Sequence, residues 1–349
     1  MSVTDGASAI IFGIETPAPA SERPTPPAAE SPAAAEERRR RGSRASWIGA
    51  AVSVIALAGV VYWATQQSAP RLPHDSVEWL AALGAVLLYG LATVVRGERW
   101  HRLLADEGGH PPRRDTHALN VVGYMGNNLL PARAGDAVRV VLMAPRAALG
   151  IRSVVGTLLA ERLLDVGLLM VIFVIVGYGL LGEVGGDKVE LVLLGAAGVA
   201  AGAVIAYLLV RRNERIMGFI APIASATLGL RRAHHGLRLL GITMVIWTVE
   251  ATVWMSTGAA VGFGMTPIEG LYIVALSSIF AMIPSGPAYA GTQDAAAIIG
   301  IKALGGTSAQ AVAYVVMLRF VIVVPITLVG LGLLITRYGG LGKLRTARA

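Results

Sequence analysis

Five charged side chains lie inside long apolar stretches of this sequence, where charge is uncommon. They are Glu161, Arg162, Asp165, Glu250 and Arg319. A charge at the centre of a bilayer costs about 2.5–3.5 kcal/mol on insertion scales, so each of these groups needs a partner or water. One interpretation is that the charges pair with one another and only hold helices together. The other is that they line a polar cavity that binds a charged headgroup.

A five-residue motif occurs twice, once ahead of each of the two deep arginines. The segment P-A-R-A-G at 131–135 recurs as P-A-Y-A-G at 287–291. Each copy precedes an aspartate and then an arginine, which follows the last glycine of the motif by 27 residues in the first copy and 28 in the second. These residues are Asp136 and Arg162, and Asp294 and Arg319. Broken helices at corresponding places in two halves are a pointer to a transport site, so the motif predicts an internal inverted repeat.

Prolines and glycines in and beside the two motifs predict breaks in the helical backbone. The predicted breakers are Pro131, Gly135, Pro284, Pro287 and Gly291. Non-helical backbone is tolerated at membrane depth only against protein or a watery cavity. We therefore predict two re-entrant hairpins, Thr116–Arg139 and Pro267–Gly306, which enter from opposite faces. Each hairpin can alternatively be a pair of short spans.

Four further polar residues of the first hairpin are candidates for substrate binding: Asn127, Asn128, Arg133 and Arg139. A guanidinium binds phosphate through a planar pair of donors, and helix N-termini at the breaks would point backbone N–H groups at an anion. For Arg139 an ordinary cytoplasmic anchor is an equal alternative. The asparagines can instead satisfy the broken backbone.

The composition is that of a polytopic helical membrane protein. Hydrophobic residues make up 54% of the 349 residues and charged residues 15%, and the mean hydropathy is +0.62. Several runs reach the roughly 20 apolar residues that cross a hydrocarbon core, and none alternates as a barrel strand would. The fold class is therefore predicted to be all-α, because helices satisfy their own backbone in lipid.

Several functions are excluded by what the sequence lacks. The absence of cysteine excludes disulfides, thiolate metal sites and thiol catalysis. The net charge of +8 does not indicate nucleic-acid binding, because the arginines cluster beside hydrophobic runs. No Walker motif, Ser/His/Asp arrangement or carboxylate–His cluster appears. We therefore expect no enzyme activity, no catalytic residue, no metal and no cofactor.

Charge asymmetry predicts the topology, with both termini in the cytoplasm of a plasma (inner) membrane. The predicted six full spans are Ser46–Gln66, Val77–Val95, Ser153–Leu181, Val189–Val210, Leu237–Gly262 and Ser308–Ile335. A short interfacial helix is predicted at Gly97–Glu107. Residues 1–45 are predicted to be a disordered tail with a basic anchor, 46–336 the transmembrane domain, and 337–349 a basic cytoplasmic tail.

The motif strings resemble a known family. N-N-L-L-P-A-R-A-G-D-A-V-R at 127–139, E-R-L-L-D at 161–165, I-P-S-G-P-A-Y-A-G-T-Q-D at 283–294 and L-R-F at 318–320 resemble the lysylphosphatidylglycerol synthase transmembrane-region family. The resemblance covers about residues 77–336. It implies a flippase-like membrane domain that moves aminoacylated or glycosylated lipids between leaflets. We expect a stand-alone member without the soluble synthase domain.

The favoured hypothesis is a lipid translocase in which a headgroup passes through a midplane cavity while its tails stay in lipid. Arg133, Arg162 and Arg319 would hold the phosphate. Glu161, Asp165 and Glu250 would balance the arginines or receive a cationic amine. The expected partners are membrane lipids with an anionic, aminoacylated or glycosylated headgroup, and a membrane-bound synthase or glycosyltransferase. The alternatives are an ion-coupled carrier of a soluble solute and a non-catalytic membrane scaffold for such an enzyme.

Overall fold

The computed structural model describes residues 72–130, 133–181, 233–281 and 287–338, with a few single positions between 58 and 66. Those four ranges contain α-helices and one short 3-10 turn but no strand, which confirms the predicted all-α class. Several predictions fall outside the described residues. These are the tail 1–45, the spans Ser46–Gln66 and Val189–Val210, the breakers Pro131 and Pro284, and nearly all of 337–349.

The helices are labelled in chain order. They are α1 Ser76–Asp106, α2 Arg113–Leu129, α3 Ala134–Met143, α4 Ile151–Leu181, α5 Ala233–Ala259, α6 Pro267–Phe280, α7 Thr292–Ala303 and α8 Ser308–Tyr338, and the 3-10 turn is Pro287–Tyr289. Among the described residues, α1, the segment His234–Ala259 of α5, and α8 are long and apolar enough to cross a membrane. At a rise of about 1.5 Å per residue, the lengths of α1 and α8 exceed the roughly 30 Å thickness of a hydrocarbon core.

Two helix starts illustrate how the local sequence sets the element boundaries. Asp75 caps α1 by accepting a hydrogen bond from the backbone N–H of Glu78 at 2.8 Å. Thr266 and Glu269 form a reciprocal capping box at the start of α6, with Pro267 in the first turn. Both arrangements satisfy backbone donors that a helix start leaves without partners.

The structure corrects the prediction of an interfacial helix at Gly97–Glu107. Helix α1 runs without interruption through this segment, and Trp100, Leu103 and Leu104 are buried in it. From the sequence, Arg96, Arg99 and Arg102 are expected to be a cytoplasmic flank that ends the span predicted at Val77–Val95. The helix continues because the apolar residues between them keep a spacing of three and four, which maintains one buried face.

Both predicted hairpins are present as pairs of helices that fold back on each other. In the first, a Cβ on Gly126 would lie 2.6 Å from the Cα of Gly135, so α2 and α3 touch backbone to backbone. A Cβ on Gly135 would lie 2.0 Å from the carbonyl oxygen of Gly123. Only glycine therefore fits at position 135, the last residue of the first motif copy. In the second hairpin, α7 packs back along α6.

The two halves of the described chain pack as equivalent repeats, α1–α4 and α5–α8. The central pair is α1 with its counterpart α5, which contact each other more than any other two helices. Helix α8 packs on α2 of the first hairpin, and its counterpart α4 packs on α6 of the second. The helix that follows each hairpin thus packs on the other repeat.

The contacts between α1 and α5 show that the repeats are inverted. Gly84 lies beside Ser256, Arg99 binds Thr243 and Asp106 contacts His235. Residue numbers increase along one helix as they decrease along the other, so the two equivalent helices are antiparallel. A twofold axis that relates them would lie across the helix direction, which is the arrangement that an inverted repeat requires.

Candidate functional site

A polar cavity lies where the two repeats meet. Its volume, counted as the space open to the centres of water-sized molecules, is about 120 Å³, which is room for several waters. Five charged residues line it: Arg96, Arg133, Arg162, Asp165 and Glu250. Five aromatic residues line it as well: Tyr89, Tyr124, Trp247, Trp254 and Tyr289. The remaining lining residues are Leu169, Ser278, Gln293 and Ile322, so both repeats contribute.

The tips of the two hairpins meet at this cavity through equivalent motif positions. Arg133 and Tyr289 are the third residues of the two copies, and the Arg133 guanidinium carbon lies 4.9 Å from the centre of the Tyr289 ring. The guanidinium also donates to the carbonyl oxygen of Ala281 at 2.9 Å. This cation–π contact joins the repeats at their shared motif.

Both tips hold non-glycine residues in the left-handed backbone region. Arg133 has φ 55°, Ala288 has φ 53° and Tyr289 has φ 57°. Such conformations are unfavourable by about 1–3 kcal/mol each and concentrate at functional sites. The two copies of the motif therefore share an unusual backbone as well as a sequence.

Arg162 lines the cavity and is held by one long ion pair. Its guanidinium lies 3.3 Å from a carboxylate oxygen of Asp136, and 36% of its side chain remains exposed. Asp136 is positioned by Asn127, whose amide donates to the carboxylate at 3.1 Å and accepts the Asp136 backbone N–H at 3.2 Å. Asn127 thus supports the first tip, as one of the two interpretations predicted.

Arg319 occupies the equivalent place in the second repeat but is bound more tightly. It donates to Asp294 at 2.6 Å and also to the carbonyl oxygens of Ala288 and Tyr289. Asp294 in turn accepts the backbone N–H of Gly291 at 2.8 Å. The prediction that Arg162 and Arg319 converge on one pocket needs correction, because Arg319 is not among the lining residues and instead fastens the second tip.

The two carboxylates that line the cavity are paired with arginines of α1. Glu250 binds Arg96. Asp165 receives two hydrogen bonds from Arg99, at 2.6 and 2.9 Å, and one from the Trp247 indole at 3.2 Å. These ion pairs span α1, α4 and α5 and are almost fully buried.

Arg96 and Arg99 are charged residues of the site that the sequence interpretation missed. It assigns them to a cytoplasmic flank, in accordance with the positive-inside pattern. A signal was nevertheless present, since Arg96, Arg99 and Trp100 continue the spacing of the buried residues Ala92 and Thr93.

The other predicted site residues lie outside the cavity lining. Arg139 is buried, binds Glu161 at 3.0 Å and stacks on Trp100 at 3.9 Å, so it is not a solvent-facing anchor. Glu161 also lies 3.7 Å from Arg99. Asn128 donates to Thr327 of α8 at 3.1 Å.

One cluster with the residue types of a metal site occurs in the described ranges, at the start of α1. His74, Asp75 and Glu78 lie close together there, although the sequence had indicated no carboxylate–His cluster. Helix capping accounts for it, because Asp75 accepts the Glu78 N–H and His74 donates its own N–H to the Glu78 carboxylate at 3.0 Å.

This architecture defines a polytopic helical membrane protein with an internal inverted repeat. The chain belongs to the family described as the lysylphosphatidylglycerol synthase TM region, which matches residues 46–330. This confirms the resemblance carried by the motif strings. The chain is also similar to a curated protein, Glycosyltransferase AglD of Haloferax volcanii, with 22% identity. That match covers 81% of this chain and 52% of the relative, so the chain spans about half the length of that protein. No solved structure was found to match.

Proposed function

We propose that this protein is a lipid translocase, which moves a lipid with a phosphate-containing headgroup between the leaflets of the plasma membrane. The headgroup enters the cavity while the acyl or prenyl tails stay in lipid. We propose further that it acts without an enzymatic step and has both termini in the cytoplasm. Membership of a membrane family named for a lipid synthase, and likeness to a glycosyltransferase, support a role in lipid or glycan metabolism.

The observation that carries this proposal is the pair of incompletely neutralised arginines in the cavity. Among the described residues, no carboxylate pairs with Arg133, which has only a carbonyl oxygen and an aromatic ring. Arg162 forms one ion pair with those residues, to Asp136 at 3.3 Å. Guanidinium groups in a wet, low-dielectric site attract an anion such as a phosphate.

The hairpin tips supply a means of alternating access. The N-termini of α3 and α7 follow directly after Arg133 and Gly291, and broken helices of inverted repeats place such ends at a substrate anion. The Arg133–Tyr289 contact joins the two tips. Exchange of that contact for a phosphate contact would release the repeats to rock about the cavity.

A second candidate function is a membrane subunit that supports a glycosyltransferase. It is favoured by the likeness to AglD, of which this chain matches about half. In that case the enzyme partner, and not this chain, would do the chemistry, and changes in the cavity would leave the partner's activity intact.

The variant Arg133→Gly tests the translocase with little risk to folding. Glycine adopts φ 55° without strain, so the variant should unfold at the same temperature as the wild type or slightly higher. It removes the cation, and leaflet transfer of a headgroup-labelled phospholipid in proteoliposomes is expected to slow by about 10-fold, the effect of one charge-assisted hydrogen bond. Transfer is measured by the quenching of outer-leaflet label.

Protein-free liposomes set the background of this assay. Equal quenching in protein-free and wild-type liposomes would reject translocation. Wild-type transfer that vanishes without a pH gradient and is indifferent to lipid identity would favour the ion-coupled carrier instead.

A further inference from the structure

We propose that the headgroup bound in this cavity is a neutral, hydroxyl-rich group on a phosphate, such as a sugar or polyol phosphate, and not a cationic aminoacyl group. This inference rests on the proposed function and names its substrate class. Three features of the cavity lining support it: the pairing of its acids, the excess of its arginines, and an unpartnered acceptor among its neutral polar groups.

The two acids in the cavity lining are already paired with arginines. Asp165 accepts two hydrogen bonds from Arg99 and one from Trp247, and Glu250 is bound to Arg96. An ammonium group that bound either acid would have to share it with a guanidinium that is already buried there, which would leave a net positive charge in the site. Excess buried charge is unfavourable. Within the described lining, every carboxylate therefore already has an arginine as its counter-charge, and a lysyl headgroup finds no unpaired acid.

The charge of the lining selects against a cation as well. Three arginines and two acids line the cavity, so the described lining carries a net positive charge. Three arginines less two acids leave one positive charge. Arg133 accounts for it, since it has no carboxylate partner among the described residues whereas Arg162 pairs with Asp136. One phosphate would compensate this charge. A headgroup that brought its own positive charges would be repelled in this low-dielectric site.

The remaining polar groups in the lining are neutral. The side-chain oxygen of Gln293 is buried and accepts no hydrogen bond within the described structure, and Gln293 as a whole is 8% exposed. An acceptor of this kind requires a donor such as a substrate hydroxyl or water. Gln293 lies in the first turn of α7, next to the second hairpin tip.

Aromatic residues complete a surface suited to a hydroxylated ring. Tyr89, Tyr124 and Tyr289 each offer an apolar face and a hydroxyl. Such groups can contact the C–H face of a sugar or polyol and hydrogen-bond its edge. Combined with Gln293, they form a neutral subsite beside Arg133 and Arg162, which matches a phosphate ester of a polyol.

The test compares three lipids with identical dioleoyl tails, bound to the full-length protein in nanodiscs. Phosphatidylinositol carries a neutral hydroxylated ring, lysylphosphatidylglycerol carries cationic amines, and phosphatidic acid has the phosphate alone. We expect phosphatidylinositol to bind about 10-fold more tightly than lysylphosphatidylglycerol, with phosphatidic acid in between. Gln293→Ala should weaken phosphatidylinositol binding by about 5- to 10-fold, the effect of one hydrogen bond to a buried group, and leave phosphatidic acid binding unchanged.

A second variant tests the charge argument directly. Gln293→Glu keeps the size of the side chain and suits the positive end of a helix dipole. It adds an acid to the lining and removes its excess positive charge, so lysylphosphatidylglycerol binding should rise by about 5- to 10-fold. The matched control is Gln310→Ala, which alters a glutamine in the first turn of α8, outside the cavity lining, and should not change lipid preference.

Wild-type binding of lysylphosphatidylglycerol as tight as that of phosphatidylinositol would overturn the inference. So would a Gln293→Ala variant that weakens all three lipids equally, since that result indicates a structural role. The proposed function is separable from these outcomes. Selective binding of the hydroxylated headgroup without leaflet transfer would reject translocation and support the proposed substrate class. Leaflet transfer with a preference for the lysyl lipid would support translocation and reject the substrate class.

Discussion

Replacement of Arg162 by alanine is expected to slow leaflet transfer by roughly 10- to 100-fold, the effect of removing a charged hydrogen-bond donor from a phosphate. Arg162 lines the cavity and, among the described residues, forms one ion pair, to Asp136, that leaves 36% of its side chain exposed. Its loss removes one of the two guanidinium groups that we propose bind the headgroup. The measurement is the initial rate of label quenching in proteoliposomes with equal amounts of wild-type and variant protein.

Arg337 provides a matched control for this prediction. It pairs with Asp115 at 3.3 Å and its side chain is 40% exposed, values nearly identical to those of the Arg162–Asp136 pair. Arg337 does not line the cavity. Arg337→Ala should therefore transfer lipid at the wild-type rate, and both variants should unfold within about 1 kcal/mol of the wild type. Equal rates for Arg162→Ala and Arg337→Ala would exclude Arg162 from the translocation pathway.

Replacement of Arg99 by alanine is expected to destabilise the protein by about 3–5 kcal/mol, because it leaves the buried Asp165 carboxylate without its counter-charge. Arg99 is 1% exposed and Asp165 is 7% exposed. Among the described residues, only the Trp247 indole would remain to donate to that carboxylate. The thermal unfolding transition in detergent should shift strongly downward.

The double variant Arg99→Met with Asp165→Leu separates charge from packing. Replacing both partners of a buried pair with apolar side chains is often neutral, so most of the lost stability should return. A double variant as unstable as Arg99→Ala would indicate that packing around Arg99, and not the ion pair, sustains this part of the bundle.

The repeat and the positions of its two hairpin tips could be predicted from the sequence. Motif copies at 131–135 and 287–291 predict the breaks, and the hairpins and the left-handed tip residues follow them. The breaks are local features, because they depend on prolines and glycines within one repeat. A sequence pattern predicts features of this kind, because they depend on residues that lie close together along the chain. The ion pairs were not predicted, since the sequence assigned other acids to the deep arginines, whereas Arg162 binds Asp136 and Arg319 binds Asp294.

The composition of the cavity was less predictable, because it depends on which helix faces meet. Arg96 and Glu250 lie 154 residues apart and pair only once α1 packs on α5. Arg162 and Arg319 occupy equivalent positions in the two repeats, yet of these two only Arg162 lines the cavity. The two tips bind their arginines differently: Arg319 donates to two backbone carbonyl oxygens of its tip, whereas Arg162 donates to the Asp136 carboxylate. Gln293 lies in the family-like string at 283–294, but nothing in that string distinguishes it as a binding residue. The role that we propose for it follows from its burial without a partner, which is visible only in the structure.

The central claim is that headgroups enter a cavity shared by both repeats. A phosphatidylinositol analogue with a photoreactive group on its ring, cross-linked to the wild-type protein in nanodiscs and mapped by mass spectrometry, tests this most directly. We predict labelled residues from both repeats in the same sample, at Tyr124 or Arg162 and at Tyr289 or Gln293. Labelling confined to exposed apolar positions such as Leu87, Leu91 and Leu163 would contradict the account.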